Sequence, residues 1–518
     1  MVEIEVLRFD NKKNKKPCFE KFEVEKKPKM KILDALNYIT DELNTDLSFR
    51  SSCRAGQCGS CALKVNGNVI LACKGEIQDG DVIEPLDFPV IKDLIVDKSS
   101  IDEKVKIMRL FLEKSDNVNE VDNYGFNPVC ACSLIPASEC QDTKTVRSCI
   151  ECYSCLSACP VIKKSTEFVG PYFMRYLAKF DFDPRDIDNR TKESIDYGLY
   201  CCTSCGQCKE VCPKEINSFG DAIEKLRTLA YEKHLGPLQA HIDLAKKVVK
   251  TGRSVDKLNK GFIEEYNAST KVLNNQVNNQ VNNQNKIKPK IAIFTGCMVD
   301  YRLQNLGFAL MDVLKINGFE CDVPQEQVCC GSPLLRTGQR NLVDNLVLKN
   351  KEVFATYDLI LTLCAGCGAT LKNDYPDFGV KLNVKDISEF IYDKVNTEDM
   401  NELKLNVTYH DPCHLSRSQG IRQEPRILLN KIKGVDFIEM EKPNQCCGSG
   451  GGVRAGKPEI AASLVKDKVK MIKDIDVDAV ISICPFCQFH IQDALDKKGL
   501  NGIEVMNILE LLKKSYSN

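Results

Sequence analysis

The chain has 518 residues, 28 of them cysteine, and its 71 basic and 72 acidic side chains leave a net charge of −1. That length suits about three domains. The balanced charge gives no sign of a nucleic-acid partner, and no run of about 18 apolar residues is present to span a bilayer. Repeated C-x2-C spacing in so large a chain points to a metal protein of a reducing, cytoplasmic compartment rather than a disulfide scaffold. The opening MVEIEVLRFD has no apolar core of a signal peptide.

In residues 1–98, Val2, Ile4 and Val6, then Phe22 and Val24, alternate with charged residues, which predicts a two-stranded hairpin. Lys31 to Leu43 has helical periodicity through Ile32, Leu33, Leu36 and Ile39, and Cys61 to Ala72 alternates again. Strand, strand, helix, strand is a β-grasp order. Within it lie Cys53-x4-Cys58-x2-Cys61 and, after 11 residues, Cys73, the plant-type spacing for a [2Fe-2S] cluster. Gly56 and Gly59 let the loop wrap closely around sulfur.

Residues 99–265 contain Cys149-x2-Cys152-x2-Cys155-x3-Cys159-Pro160 and, 42 residues on, Cys202-x2-Cys205-x2-Cys208-x3-Cys212-Pro213. Three cysteines of each run supply one cluster while the fourth reaches the neighbouring cluster. The spacing therefore predicts one [4Fe-4S] on Cys149, Cys152, Cys155 and Cys212, and another on Cys202, Cys205, Cys208 and Cys159. A zinc ribbon has no use for the third cysteine or the trailing Cys-Pro. Lys104 to Lys114 and Asp221 to Lys233 are amphipathic, so the domain is expected to be helical. Cys130, Cys132 and Cys140 complete no recognised set and are expected as buried small hydrophobes, with three ligands of a further site as the alternative. Cys18, Cys201 and Cys321 are expected to be buried likewise.

On FRSSCRAGQCGSCALKVNG, the later LAC and the paired runs above, the chain to about residue 220 resembles the iron–sulfur subunit of succinate dehydrogenase and fumarate reductase. The resemblance implies an α-helical ferredoxin domain and docking of the [2Fe-2S] domain on a flavoprotein that carries FAD. No G-x-G-x-x-G follows a strand here, so flavin would come from that partner. Many members of that family lack a cysteine at the position of Cys205 and hold a [3Fe-4S] cluster facing quinone. With Cys205 present, Thr203 after Cys202 and no tryptophan anywhere, a fourth iron is expected and quinone is not.

Residues 266–288 include NNQVNNQVNNQN, Asn274 to Asn285, a polar tract expected as a linker to a separately folding module. Beyond it a pattern repeats over 289–405 and 406–518. Cys297 closes IAIFTGC, Cys329-Cys330-Gly331 follows after 31 residues, and Cys364-x2-Cys367 after 33 more. Cys413 closes NVTYHDPC, Cys446-Cys447-Gly448 follows after 32, and Cys484-x2-Cys487 after 36. The repeat predicts two α/β halves with cysteines at strand ends, and Asn341 to Phe354 and Glu459 to Lys473 fit crossover helices. Five cysteines per half exceed a tetrahedral zinc site, although zinc in one half and a redox dithiol at each C-x2-C stay open on spacing alone.

These ten cysteines resemble the tandem CCG motif of the catalytic subunit of heterodisulfide reductase. The resemblance implies a noncubane [4Fe-4S] cluster on each set, with disulfide chemistry between them. His410, His414 and His490 lie beside second-half cysteines and would transfer thiol protons, or else cap strands and hydrogen-bond sulfur. The whole is expected as an α+β multidomain protein: a β-grasp [2Fe-2S] ferredoxin, an α-helical ferredoxin and a duplicated α/β CCG domain. The combination resembles the thiol:fumarate reductases (CoM/CoB:fumarate reductases) of methanogens. That implies oxidation of coenzyme M and coenzyme B thiols to their heterodisulfide, with electrons passing to an FAD-containing fumarate reductase partner. The alternative is an electron-transfer subunit linking a flavoprotein dehydrogenase to quinone or to a heterodisulfide reductase complex.

Overall fold

The computed structural model describes residues 1–13, 16–113, 141–276 and 289–517. These fall into two compact units, residues 1–199 with 206–230, and residues 200–205 with 231 onward.

In the first unit, Val2–Arg8 pairs antiparallel with Cys18–Val24 and parallel with Val82–Glu84, and Ala62–Val65 with Asn68–Leu71 completes a five-stranded sheet. Ile4, Val6 and Val24 meet Ile32, Leu33, Leu36 and Ile39 of helix Ile32–Asp41 in one core. Each such side chain contributes about 1.5–3 kcal/mol by leaving water. The alternating stretch 61–72 is a hairpin rather than one strand. It folds at Asn66-Gly67, whose φ of 50° and 74° are the left-handed pair that a type I′ turn requires. Cys18, expected to be buried, is exposed because it opens an edge strand whose first four residues face solvent.

The rest of this unit is helical. Pro171–Asp181 buries Tyr172, Phe173, Met174 and Leu177 against helix Arg190–Asp196 and the turn Ser218–Glu224. Fully buried Arg190 is held by Asp186 and Glu193 and donates to the Phe111 carbonyl at 2.9 Å. The helix expected over 104–114 lies instead at Ser99–Ile107. The Asp97 carboxylate caps Ser99 N–H at 2.9 Å, and Arg109 with φ 43° follows the helical turn. The helix expected over 221–233 is a wide π-type turn, Ser218–Glu224, continued by Lys225–Glu232. Cys130, Cys132 and Cys140 lie outside the described residues.

The second unit contains two four-stranded parallel sheets of one design. In the first, Ile291–Phe294 lies between Cys321–Asp322 and Leu359–Thr362, with Val384–Asp386 outermost. In the second, Leu405–Tyr409 lies between Val435–Phe437 and Ala479–Ser482, with Glu504–Asn507 outermost. Ile291–Phe294 and Ala479–Ser482 are buried along their whole length, as strands covered on both faces must be. Helices Asp344–Phe354 and Pro458–Lys473 are crossovers, and Gln304–Ile316 packs on the last helix, Ile508–Tyr516.

Residues 231–265, expected with the helical domain, belong to this unit, where Ala245 and Val248 of helix Gln239–Thr251 enter its core. The first part of the expected linker is helix, Phe262–Gln276. Phe262 anchors it, with its ring 5.1 Å from that of Phe308 and over Gly307, where a Cβ would come within 2.6 Å. Residues 277–288 lie outside the described residues. Cys201 is buried and Cys321 half-buried. Among the described residues no helix is long and apolar enough to cross a membrane.

Candidate functional site

Cys53 opens the first cysteine loop, and its Sγ accepts from the backbone N–H groups of Ala55, Gln57 and Cys58 at 3.3–3.4 Å. Arg54, Gly56 and Gly59 have positive φ, which turns successive amides toward sulfur. Cys58 is held down at about 6, first by the Ser60 hydroxyl, while burial pushes Cys61 up to about 11 beside Cys73. A Cβ on Gly59 would stand 2.6 Å from the Cys152 Cβ, so the first loop lies directly on the next cysteine run.

Cys149, Cys152, Cys155 and Cys212 line one small cavity with Tyr172 and Arg175. The Glu151 N–H donates to Cys149 Sγ at 3.4 Å, and Glu151 and Tyr153 take left-handed φ of 54° and 58°. Burial raises Cys155 well above the usual thiol range, and the nearness of Cys208 adds to the rise. The second run repeats this geometry: the Ser204 N–H donates to Cys202 Sγ at 3.4 Å, and Ser204 and Gly206 have φ of 52° and 75°. Of the second predicted set, Cys159 and Cys208 belong to the first unit, Cys202 and Cys205 to the second.

In the second unit a cavity of about 290 Å³ is lined by all ten repeated cysteines: Cys297, Cys329, Cys330, Cys364 and Cys367 of one half, Cys413, Cys446, Cys447, Cys484 and Cys487 of the other. Cys297 follows strand Ile291–Phe294, and Cys364 and Cys484 each begin a helix after the third strand of their sheet. Gly448 has φ 94°, and a Cβ there would lie 2.9 Å from the Ala461 carbonyl. A larger residue would push the loop that carries Cys446 and Cys447 away from helix Pro458–Lys473. Cys447 and Cys487 sulfurs are 3.7 Å apart, and the Cys364 thiol faces that of Cys484 across the two halves. Ser254, which carried no sequence signal, donates its N–H to Cys297 Sγ at 3.4 Å. Arg336 and Arg454 also line the cavity and were likewise not singled out by the sequence.

Of the three predicted histidines, His410 and His414 line this cavity. His410 is buried, and its ring nitrogen, Cys447 Sγ and Cys487 Sγ lie within 4.8 Å of one another. His414 Nε2 is 3.2 Å from the Ser204 carbonyl. His490 does not line it; it lies in the wall of an adjoining cavity between helices Pro458–Lys473 and Pro485–Asp496.

The segment Cys202–Cys205 rests on loops of the second half. A Cβ on Gly451 would stand 2.5 Å from the Cys202 carbonyl, Arg417 donates to the Cys205 carbonyl at 3.2 Å, and Cys205 hydrogen-bonds Cys446.

Cysteine sulfurs met by backbone N–H donors in loops of left-handed residues, and ten cysteines lining one cavity, are the kind of donors that iron–sulfur clusters need. Family models agree. Residues 3–103 match a 2Fe-2S iron–sulfur cluster binding domain, 145–216 a 4Fe-4S dicluster domain, and 291–372 with 407–492 a cysteine-rich domain. The protein is an iron–sulfur electron-transfer component of an oxidoreductase, α+β and multidomain, carrying 2Fe-2S and 4Fe-4S centres. Over its whole length it is 53% identical to the whole of the B subunit of fumarate reductase (CoM/CoB) from Methanothermobacter marburgensis. It belongs to that family. Across 71% of this chain and 93% of the relative, it is 32% identical to the D subunit of dihydromethanophenazine:CoB–CoM heterodisulfide reductase from Methanosarcina acetivorans. A solved structure of a hypothetical protein from Helicobacter pylori shares the fold, with TM-score 0.64 and 11% identity, covering 100% of this chain and 95% of that one.

Proposed function

We propose that this chain oxidises coenzyme M and coenzyme B thiols to their heterodisulfide and delivers the electrons to FAD on a partner protein that reduces fumarate to succinate. The observation that carries the reading is the single cavity into which both five-cysteine sets open. Cys53, Cys58, Cys61 and Cys73 would hold a [2Fe-2S] cluster, and Cys149, Cys152, Cys155 and Cys212 a [4Fe-4S]. Cys202, Cys205, Cys208 and Cys159 would hold the second [4Fe-4S], and each five-cysteine set a noncubane [4Fe-4S]. Bound there, these groups supply thiolate-binding iron at one end and one-electron carriers along the rest of the chain.

The protein's own groups do the remainder. Two thiols lose two protons and two electrons as one S–S bond forms. The cavity brings both sulfurs to one place, which removes the bimolecular entropy cost of their encounter. His410 and His414 stand in its wall as acceptors for the thiol protons. The contact of Gly59 with Cys152, and that of the Cys202–Cys205 segment with the second half, shorten two steps of the electron path. Fumarate has no role on this chain.

The test is Cys330→Ala in anaerobically prepared protein. It should abolish thiol oxidation while the [2Fe-2S] signal in electron paramagnetic resonance persists. Loss of both together would contradict the division of labour proposed here.

A further inference from the structure

The two halves share one strand order, so equivalent positions around the cysteines can be compared directly. Three residues before Cys297 stands Phe294; three before Cys413 stands His410. Three residues after Cys367 stands Thr370; three after Cys487 stands His490. All four side chains are buried.

The helix after each adjacent cysteine pair makes the sharpest contrast. In the first half, Asn350 of helix Asp344–Phe354 clamps the loop entering Cys329: its amide donates to the Val328 and Cys329 carbonyls at 3.3 Å and accepts from Val328 N–H at 3.0 Å. In the second half the same task falls to Lys468 of helix Pro458–Lys473. Its Nζ donates to the Lys442 carbonyl at 2.6 Å and the Pro443 carbonyl at 3.3 Å, and lies 3.4 Å from the Met440 sulfur. Asn350 and Lys468 are both fully buried. One is a neutral amide, the other an ammonium.

No carboxylate forms an ion pair with Lys468 among the described residues, whereas buried Arg253 is paired with Asp300, and half-buried Arg336 and Arg426 are paired with Asp374 and with Asp411 and Glu439. Burial lowers the Lys468 pKa while nearby Cys447 and Asp411 oppose the drop, and the two carbonyl oxygens and the thioether sulfur around Nζ are acceptors that suit an ammonium. A buried cation favours whichever neighbouring state carries more negative charge, and reduction adds an electron's charge.

We infer that, of the two five-cysteine centres, the one in the second half has the higher reduction potential, set chiefly by the Lys468 ammonium, and is the one that collects the electrons. This rests on the reading that both sets hold iron. Its location fits the role, since the second half carries the loops that touch the Cys202–Cys205 segment. With that assignment the second-half set would hold the centre that accepts the electrons of the two thiols, and the first-half set, where Arg253 and Arg336 are each paired with a carboxylate, would be left to bind thiolate.

The test uses full-length, anaerobically prepared chain with one set disabled at a time, Cys330→Ala leaving the second-half centre and Cys447→Ala the first-half one. Iron is counted, then the surviving centre is titrated with reductant and followed by electron paramagnetic resonance. The second-half centre should be the easier to reduce by at least tenfold in equilibrium constant, about 59 mV for one electron. Lys468→Gln should lower its midpoint and Lys468→Arg preserve it, and neither should move the first-half centre. If Lys468→Gln does not fold, the order of the two midpoints with Lys468 intact still decides. Iron in both sets with equal or reversed midpoints overturns this inference alone. Iron that neither cysteine variant removes overturns the proposed function and this inference with it.

Discussion

At the scale of single residues, Cys205 would be the fourth thiolate of its cluster in the proposed assignment. It is buried, and its carbonyl is fixed by Arg417 at 3.2 Å. Cys205→Ala should leave a three-iron centre, seen as a new [3Fe-4S] signal in the oxidised protein. An unchanged spectrum would remove Cys205 from the ligand set. Asp386 offers a separate test. It is fully buried, its Oδ1 caps Ser388 N–H at 2.9 Å, and burial raises its pKa from 3.8 to about 7. The native state therefore keeps this proton between about pH 4 and 7 while the unfolded chain releases it, so stability falls as pH rises through that window. Asn507, the equivalent cap in the second half, has no charge to bury. Asp386→Asn should raise stability at pH 8 by on the order of 1–3 kcal/mol and give no gain at pH 4, read from thermal midpoints at the two pH values. Equal effects at both pH values would contradict the account of its burial.

At the scale of elements, what the sequence announces is what spacing alone can encode. The plant-type loop, the two C-x2-C-x2-C-x3-CP runs and the duplicated cysteine pattern mark the segments that match iron–sulfur and cysteine-rich domains and the ten cysteines that line the cavity, because metal ligation would fix intervals along the chain. The helix Ile32–Asp41 and the hydrophobic strands were legible for a similar reason, since one-sided burial imposes a period. Elements decided by contacts distant in sequence were not. The helix Phe262–Gln276 enters a polar tract because Phe262 finds Phe308 and Gly307. Helix Ser99–Ile107 starts early at an Asp97 cap. His490 sits three residues from a cysteine yet lies behind the cavity wall, since a helix turns it toward the facing helix Pro458–Lys473. Ser254 reaches Cys297 from 43 residues away, an interval no motif records.

At the scale of the whole molecule, the chain joins a ferredoxin-like part, where backbone amides meet cysteine sulfur, to a duplicated sheet module with ten cysteines around one cavity. The duplication gives two sites of the same build, and the substitutions between them, above all Lys468 for Asn350, give them different electrostatic surroundings. In the proposed function such a molecule would collect two electrons from a pair of thiols and pass them on one at a time. The most direct measurement is thiol oxidation by the purified, iron-replete chain alone, under anaerobic conditions, with an artificial one-electron acceptor. The account predicts that coenzyme M and coenzyme B together yield heterodisulfide with two acceptor molecules reduced per disulfide. Full iron content with no disulfide formed would contradict it.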